Sequence, residues 1–398
     1  MKKICIMTGT RAEYGLLKPL IELVHKSEET ELQLVVTGMH LSPEFGLTYK
    51  EIEQDRYPVS CKVEMLLSSD TTVGITKSIG IGLIGFADCF ERLKPDIVII
   101  LGDRYEMLAV AAAALIARIP IAHIHGGELT EGLIDEAIRH SISKMSQLHF
   151  VTTEEYRKRV IQLGEQPERV KNVGALGVEN AKNVSLLSKE KLEKQLGILF
   201  RNPTVLVTYH PVTLEEGTSE NKFSNILEVL EEKEELFIIF TKANSDTEGR
   251  VINRMIDEFA SRYPERCRVY TSLGQKGYLS TLQYCDLVLG NSSSGIIEVP
   301  SFKIPTIDIG DRQKGRVCAR TVIHCGDSKN EIRGAVEKAL SKEFQMVCKE
   351  SRNPYEGNKT SEKIFTTILV ELNRGICVKK GFYDIEFTEM ENETVNNL

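Results

Sequence analysis

Three acids stand near one another in the chain, Asp103, Glu128 and Asp135, with His123, His125 and His140 among them. Carboxylates grouped in this way tune one another's proton affinity, which is what abstracting and returning a proton requires. Each also has an ordinary reading: Asp103 as a cap for the segment behind it, Asp135 as a solvated helix residue. His-x-His beside acids also fits a divalent ion. No further His/Asp set at ligand spacing follows the first strand, so the expectation is no metal. Strand alternation would turn His123 and His125 to opposite faces, leaving one of them to face the site.

A second set of residues suits an anion. Gly290-Asn291-Ser292-Ser293-Ser294-Gly295 hands a strand over to a helix, and Glu298 is expected in the first helical turn. Free backbone N–H groups, small hydroxyls and a positive helix end favour phosphate. Glu298 could accept hydrogen bonds from a ribose diol. The same residues also make a plain helix cap. Arg11 and Arg316 are cations able to grip a diphosphate through two hydrogen bonds, or else solvated surface arginines. His210 closes a strand in Tyr209-His210-Pro211, and Asn244 lies in the polar run Lys242-Ala243-Asn244-Ser245-Asp246 that ends another.

These residues need a frame. The apolar run Ile97 to Leu101 stops at Gly102-Asp103-Arg104, an alanine-rich segment covers Met107 to Ala117, and Ile119 to Ile124 ends in His125-Gly126-Gly127-Glu128. That reads as strand, loop, helix, strand, loop, and such loops at the same ends of parallel strands are where α/β proteins place their chemistry. Residues 4 to 8, Leu32 to Thr37 and Leu148 to Thr152 read as further strands. Helices are expected from Leu16 to Val24, Val73 to Leu93 and Glu154 to Leu163, by apolar spacing. A hinge and linking helix occupy Gly174 to about Asn202. The pattern then restarts with strands at Thr204–Thr208, Leu236–Thr241, Cys267–Thr271, Asp286–Leu289 and Ile304–Ile309. Helices are expected around Ile252–Ala260, Glu331–Leu340 and Ser361–Leu372, with a disordered tail after Glu391. The fold class expected is α/β: two Rossmann-like, doubly wound domains facing each other across a cleft.

At 398 residues two domains is the natural division. The formal net charge of −7 argues against a general binder of nucleic acid or anionic membrane, so local cations must meet any anionic ligand. Nine scattered cysteines with no C-x-x-C pair indicate neither a disulfide framework nor zinc, and point to a cytoplasmic protein with reduced thiols. The apolar run behind Met1-Lys2-Lys3 is too short for a signal core, and no stretch is expected to reach the ~20 apolar residues of a membrane span.

In order and spacing, these segments resemble the hydrolysing UDP-N-acetylglucosamine 2-epimerases of bacterial sialic-acid biosynthesis. The matching motifs are Thr8-Gly9-Thr10-Arg11-Ala12-Glu13-Tyr14-Gly15, Val36-Thr37-Gly38-Met39-His40, Leu101-Gly102-Asp103-Arg104-Tyr105-Glu106, His123-Ile124-His125-Gly126-Gly127-Glu128, Ile138-Arg139-His140-Ser141-Ile142, the serine-rich segment at 290–295, Gly310-Asp311-Arg312-Gln313-Lys314-Gly315-Arg316 and Asn353-Pro354-Tyr355. The resemblance implies a glycosyltransferase-B-like fold. Residues 1–180 would form a sugar-side domain completed by a helix at 358–378, residues 181–357 a UDP-binding domain, and 379–398 a tail. It implies UDP and substrate binding by Gly9, Arg11, His210, Asn244, Ser292, Ser293, Ser294, Gly295, Glu298 and Arg316. Asp103, Glu128, Asp135, His210 and His125 would be catalytic, without a cofactor, in a homodimer. Some relatives carry Glu at the position of His125, where it is a favoured acid/base, so here that role passes to Glu128 or His125 or is shared. The activity implied is conversion of UDP-N-acetylglucosamine and water to N-acetylmannosamine and UDP. The same chemistry on UDP-2,4-diacetamido-2,4,6-trideoxyglucose, of the legionaminic-acid pathway, is an alternative, and a glycosyltransferase of the same fold is a second.

Overall fold

The computed structural model describes residues 1–67, 69, 71–131, 133–212, 217–243 and 249–386. Asn244 and the tail expected after Glu391 lie outside the described residues. The first half runs β1 (Lys2–Thr8), α1 (Arg11–Lys26), β2 (Thr30–Thr37), α2 (Tyr49–Gln54), β3 (Val59–Val63), α3 (Thr72–Leu93), β4 (Ile97–Leu101), α4 (Tyr105–Ile116), β5 (Ile121–Ile124), α5 (Asp135–Met145), β6 (Leu148–Val151), α6 (Glu154–Gln162) and β7 (Val170–Asn172). Two helices, α7 (Leu176–Asn183) and α8 (Lys189–Leu196), lead into the second half. It runs β8 (Thr204–Thr208), α9 (Ser219–Glu232), β9 (Phe237–Thr241), α10 (Gly249–Arg262), β10 (Cys267–Tyr270), α11 (Gly274–Leu282), β11 (Leu287–Gly290), α12 (Ser293–Ile297), β12 (Thr306–Ile309), β13 (Val322–Cys325), α13 (Lys329–Leu340) and α14 (Lys342–Glu350). The helix α15 (Thr360–Arg374) closes the order.

Each half is one wholly parallel sheet, ordered β3-β2-β1-β4-β5-β6-β7 and β10-β9-β8-β11-β12-β13. The expected architecture is therefore present: two doubly wound α/β halves. Strand periodicity explains how each sheet is covered on both faces. Ile4 and Ile6 of β1 turn to Leu17, Leu20 and Ile21 of α1, whereas Cys5 and Met7 turn to Phe86 and Phe90 of α3. α3 is the one described helix long and apolar enough by composition to cross a membrane, contrary to the sequence reading. It meets that test because Phe86, Cys89 and Phe90 are core residues against the first sheet.

The order of strands fixes where chemistry can sit. In each sheet the winding reverses between its two central strands, β1 and β4 in the first and β8 and β11 in the second. The loops leaving adjacent strands there diverge and leave a crevice at the strands' carboxyl ends. Those loops carry Gly9-Thr10-Arg11 and Gly102-Asp103 in one half, and Tyr209-His210 and Asn291-Ser292 in the other. α15 returns to the first half, burying Ile364, Ile368 and Leu372 against α1, and Arg169 pairs with Glu371 at 2.6 Å.

Candidate active site

Asp103 follows Gly102, whose φ of +75° suits a residue without a Cβ. Gly102's carbonyl is fixed from behind: His123 Nε2 donates to it at 2.8 Å, and His123 Nδ1 accepts from Ser143 Oγ at 3.0 Å. A carbonyl can only accept, so the proton sits on Nε2. Burial pushes His123 down to about 3, which keeps it neutral. The Asp103 side chain is bound by Arg139, one turn before Ser143 on α5. Arg139 is 1% exposed and also donates to the Glu128 carbonyl and Glu136 Oε2, both at 2.8 Å, and to Thr130 Oγ1 at 2.9 Å. α5 thus holds Asp103 by its backbone and its side chain. Burial alone would raise the Asp103 carboxyl; the Arg139 and Arg316 guanidiniums outweigh it and hold it below the ordinary value.

Glu128 is 2% exposed. Its Oε1 accepts from Thr152 Oγ1 at 3.1 Å and lies 3.4 Å from His125 Nδ1. Its Oε2 stands 2.5 Å from Arg316 Nη1, an ion pair rather than an aligned hydrogen bond. His125 sits at φ +68°, a strained conformation for a residue with a Cβ. Burial depresses its pKa below the ordinary histidine value, and its Nε2 has no hydrogen-bond partner. A buried, unpaired imidazole nitrogen at the wall of a cleft is costly unless a ligand completes it.

Arg11 projects from a capping box. Thr10 Oγ1 accepts from Glu13 N–H, and Glu13 Oε2 accepts from the N–H groups of Gly9 at 2.7 Å and Thr10 at 3.3 Å. Burial lifts Glu13 to about 7. The Arg11 Nε pairs with Glu51 Oε2 at 2.9 Å, and the guanidinium reaches the other half of the fold. A Cβ at Gly274 would lie 2.9 Å from Arg11 Nη2, so glycine at that turn makes room for it.

On the second side, Asn291 clamps the backbone of His210: its Oδ1 accepts from His210 N–H and its Nδ2 donates to His210 O, both at 2.8 Å. Ser294 Oγ accepts from Tyr278 OH at 2.7 Å. α12 has only five residues, so Glu298 caps its C-terminus rather than standing in its first turn. Burial raises the Glu298 carboxyl to about 7, and its Oε2 is shut off from solvent with no partner. Gly177 on α7 leaves the space that Glu298 Oε1 occupies.

These side chains meet in a cleft of about 490 Å³. Arg11, Asp103, His125, Glu128 and Arg139 line it from one side, and Ser293, Glu298 and Arg316 from the other. Gly9, Asp135, His210, Ser292, Ser294 and Gly295 do not line it; they lie in or beside the loops that shape it. Asp135 opens α5, and it is the next residue, Glu136, that reaches Arg139 and the Thr130 N–H. Among the described residues no three His, Cys, Asp or Glu side chains converge as metal ligands. Sequence reasoning missed Arg139 as a site residue, although its place behind the acids in Ile138-Arg139-His140 was a usable signal. It also missed a clasp beside Arg316. Val317 N–H donates to Tyr156 OH at 2.9 Å, Tyr156 OH donates to Tyr355 OH at 2.8 Å, and Tyr355 OH donates to Val317 O at 2.8 Å.

The sequence profile described as UDP-N-acetylglucosamine 2-epimerase matches residues 22–369. The GDP/UDP-N,N'-diacetylbacillosamine 2-epimerase (hydrolyzing) of Campylobacter jejuni is 44% identical over 385 residues, covering 96% of this chain and 99% of that protein. The polysialic acid biosynthesis protein P7 of Escherichia coli is 40% identical over 389 residues, 97% of this chain and 98% of that one. The crystal structure of UDP-GlcNAc 2-epimerase from Neisseria meningitidis bound to UDP-GlcNAc superposes with a TM-score of 0.78 over 93% of this chain and all of that one; at 19% identity this is a likeness of fold.

Proposed function

The chain belongs to the UDP-N-acetylglucosamine 2-epimerase family, and from that premise we propose that it is a hydrolysing 2-epimerase acting on UDP-N-acetylglucosamine. The observation that carries the reading is the division of the cleft. Two carboxylates, Asp103 and Glu128, stand with Arg11 on one side, and Glu298 and Arg316, the other groups suited to a nucleoside diphosphate, line the opposite side. In the reaction a carboxylate removes the proton on sugar carbon 2 while the bond from carbon 1 to the diphosphate oxygen breaks. UDP leaves with the bonding pair and a glycal remains. Water then adds at carbon 1 and carbon 2 regains a proton on the opposite face, giving N-acetylmannosamine.

Asp103 and Glu128 are the proposed proton-handling pair. An acceptor must be ionised, and Arg139 keeps Asp103 so. His125 offers a neutral imidazole whose Nε2 is open to a sugar hydroxyl or a water. Arg11 and Arg316 stabilise charge developing on the leaving diphosphate. The unpartnered oxygen of Glu298 supports a contact to the ribose hydroxyls. In this reading Asp135, His210 and the serine-rich loop would support these groups, with Ser293 itself lining the cleft. The protein would serve sialic-acid biosynthesis as a cytoplasmic homodimer.

A second reading has a specific observation behind it: the 44% identical Campylobacter protein is named for diacetylbacillosamine. That sugar carries an acetamido group at carbon 4 and a methyl group at carbon 6, and the cleft has an apolar wall of Leu16, Met39, Phe45 and Leu101. Turnover of the two UDP-sugars under the same conditions decides between them. A kcat/KM at least ~100-fold higher for UDP-N-acetylglucosamine, the scale on which an apolar pocket discriminates one small added group, supports the first reading. The reverse preference replaces it with the second.

A further inference from the structure

Residues 375–386, which follow α15, form neither helix nor strand, yet they are fastened to the first half of the fold. Lys380 Nζ donates to the Ser146 carbonyl at 2.7 Å and to the two oxygens of Glu165 at 2.8 and 2.7 Å. Beside this anchor the Tyr383 N–H donates to the Gly164 carbonyl at 2.9 Å, and Lys144 Nζ lies 4.6 Å from the centre of the Phe382 ring. The ring fills the space a side chain at position 164 would need, and Gly164 itself has φ +86°.

Glu165 is buried and joins several charges. Lys144 donates to its Oε1 at 2.9 Å and His149 Nε2 to its Oε2 at 3.1 Å. Burial holds the His149 ring below the ordinary histidine value, so it is neutral with its proton on Nε2. Burial alone would raise the Glu165 carboxyl; the hydrogen bonds from His149 and Lys380 outweigh it and hold it at about 2. From this junction α5 and β6 lead to the cleft. Lys144 adjoins Ser143, whose hydroxyl holds His123, and follows Arg139, which binds Asp103. His149 of β6 is in register with His123 of β5, so both rings rise from one face of the sheet. Ser146 caps the C-terminus of α5, where carbonyls lack helical partners and favour a cation. Lys380 supplies that cation.

We propose that residues 375–386 are a strap that fixes α5 against the first sheet, and that Lys380 and Glu165 are positioning residues for Asp103. The inference rests on the reading of Asp103 as a proton-handling group. α5 has only 11 residues, too few to hold its place without tertiary contacts. Its C-terminal end is fixed by two ammonium groups, Lys144 and Lys380, meeting on one buried carboxylate. Without Lys380, Glu165 keeps one of those ammonium groups and the Ser146 carbonyl loses its cation. The helix then gains freedom along the sheet, and Arg139 and Ser143 move with it. Asp103 and the Gly102 carbonyl lose their fixed places, because both are held from α5 or through His123. Neither Lys380 nor Glu165 lines the cleft, so substrate binding is spared while the placement of the acid is not.

The test replaces Lys380 in the full chain and reads turnover, stability and the His123 ring separately, with whichever UDP-sugar the wild type turns over. Lys380→Met should lower kcat by roughly 10- to 100-fold, the scale on which a misplacement of about 1 Å costs rate, with KM changed less than about threefold. Lys380→Arg, which keeps the charge and the donors, should restore most of the kcat. Lys380→Met combined with Glu165→Gln removes the buried charge left short of a partner, so it should regain the wild-type Tm but not the kcat. In protein labelled with ¹⁵N-histidine, the Nε2–H signal of His123, held by the Gly102 carbonyl, should shift or exchange faster with solvent in Lys380→Met. An unchanged kcat in Lys380→Met, or a kcat that recovers together with Tm in the double variant, overturns the strap's role. A fall in kcat with the His123 signal unmoved overturns the route through α5. If Asp103→Asn turns over normally, or no UDP-sugar is turned over, the reading of the cleft fails and the His123 signal decides alone: shifted, it upholds the strap, and unmoved, it overturns it.

Discussion

Arg316 and Glu128, carried by opposite halves of the fold, stand 2.5 Å apart with both side chains almost wholly buried. The pair ties the half that carries Asp103 and Glu128 to the half that carries the serine-rich loop. In the proposed reaction its two members would serve the two functions that must be joined, Glu128 the proton and Arg316 the leaving diphosphate.

Removing the cation leaves a buried carboxylate without a counter-charge, which costs about 3–5 kcal/mol. Arg316→Met should therefore lower the unfolding free energy by about that much in urea, and weaken UDP binding in calorimetry. Arg316→Met combined with Glu128→Gln should recover most of the stability and none of the UDP affinity. A double variant as unstable as the single one would mean that the pair is not what holds the halves together.

Asp103→Asn and Glu128→Gln should each lower turnover by at least ~100-fold, the ordinary scale of acid–base catalysis, with UDP affinity nearly unchanged. Steady-state kinetics alongside UDP titration separates the two effects. Near-normal rates in both variants would remove them from the proton chemistry.

The clasp makes a separate prediction. Tyr156→Phe deletes the acceptor of the Val317 N–H and a donor to Tyr355, and a buried group left unpaired costs about 1–3 kcal/mol. The variant should unfold at lower denaturant and bind UDP more weakly, because Val317 adjoins Arg316. Unchanged UDP affinity would show that the clasp does not position the arginine.

Much of this arrangement is legible in the sequence, for physical reasons. Ile97 to Leu101 is wholly buried, and a strand buried on both faces reads as an unbroken apolar run. The loop position of Asp103 followed directly from it. β3 was missed because it is an edge strand with Lys62 exposed and no apolar run. β13, also at an edge, alternates only weakly. Glu298 was expected in a first helical turn because the local pattern does not reveal that α12 stops after five residues. The convergence of Arg139 on Asp103, 36 residues away, and of Tyr156 on Tyr355, 199 residues away, is set by the packing of whole elements.

Glu298 also gives the molecule a pH signature. Its folded value is about 7 against an ordinary 4.5, so the folded chain keeps a proton that the unfolded chain gives up between those values. Its contribution to stability is therefore lost as pH rises from 4.5 to 7. His40, lowered to about 4, and His123, lowered to about 3, act oppositely, losing stability as pH falls below 6.5. Comparison with Glu298→Gln isolates the carboxyl. The variant should gain on the wild type by on the order of 1 kcal/mol per pH unit through that window, measured by urea unfolding at pH 5, 6 and 7. A constant difference would mean that Glu298 titrates normally.

The elimination itself is tested most directly by the hydrogen on sugar carbon 2. The enzyme is incubated with UDP-N-acetylglucosamine in D₂O and the products are followed by NMR. The account predicts UDP and free N-acetylmannosamine carrying deuterium at carbon 2. Release of UDP with the original proton still on carbon 2 would contradict it.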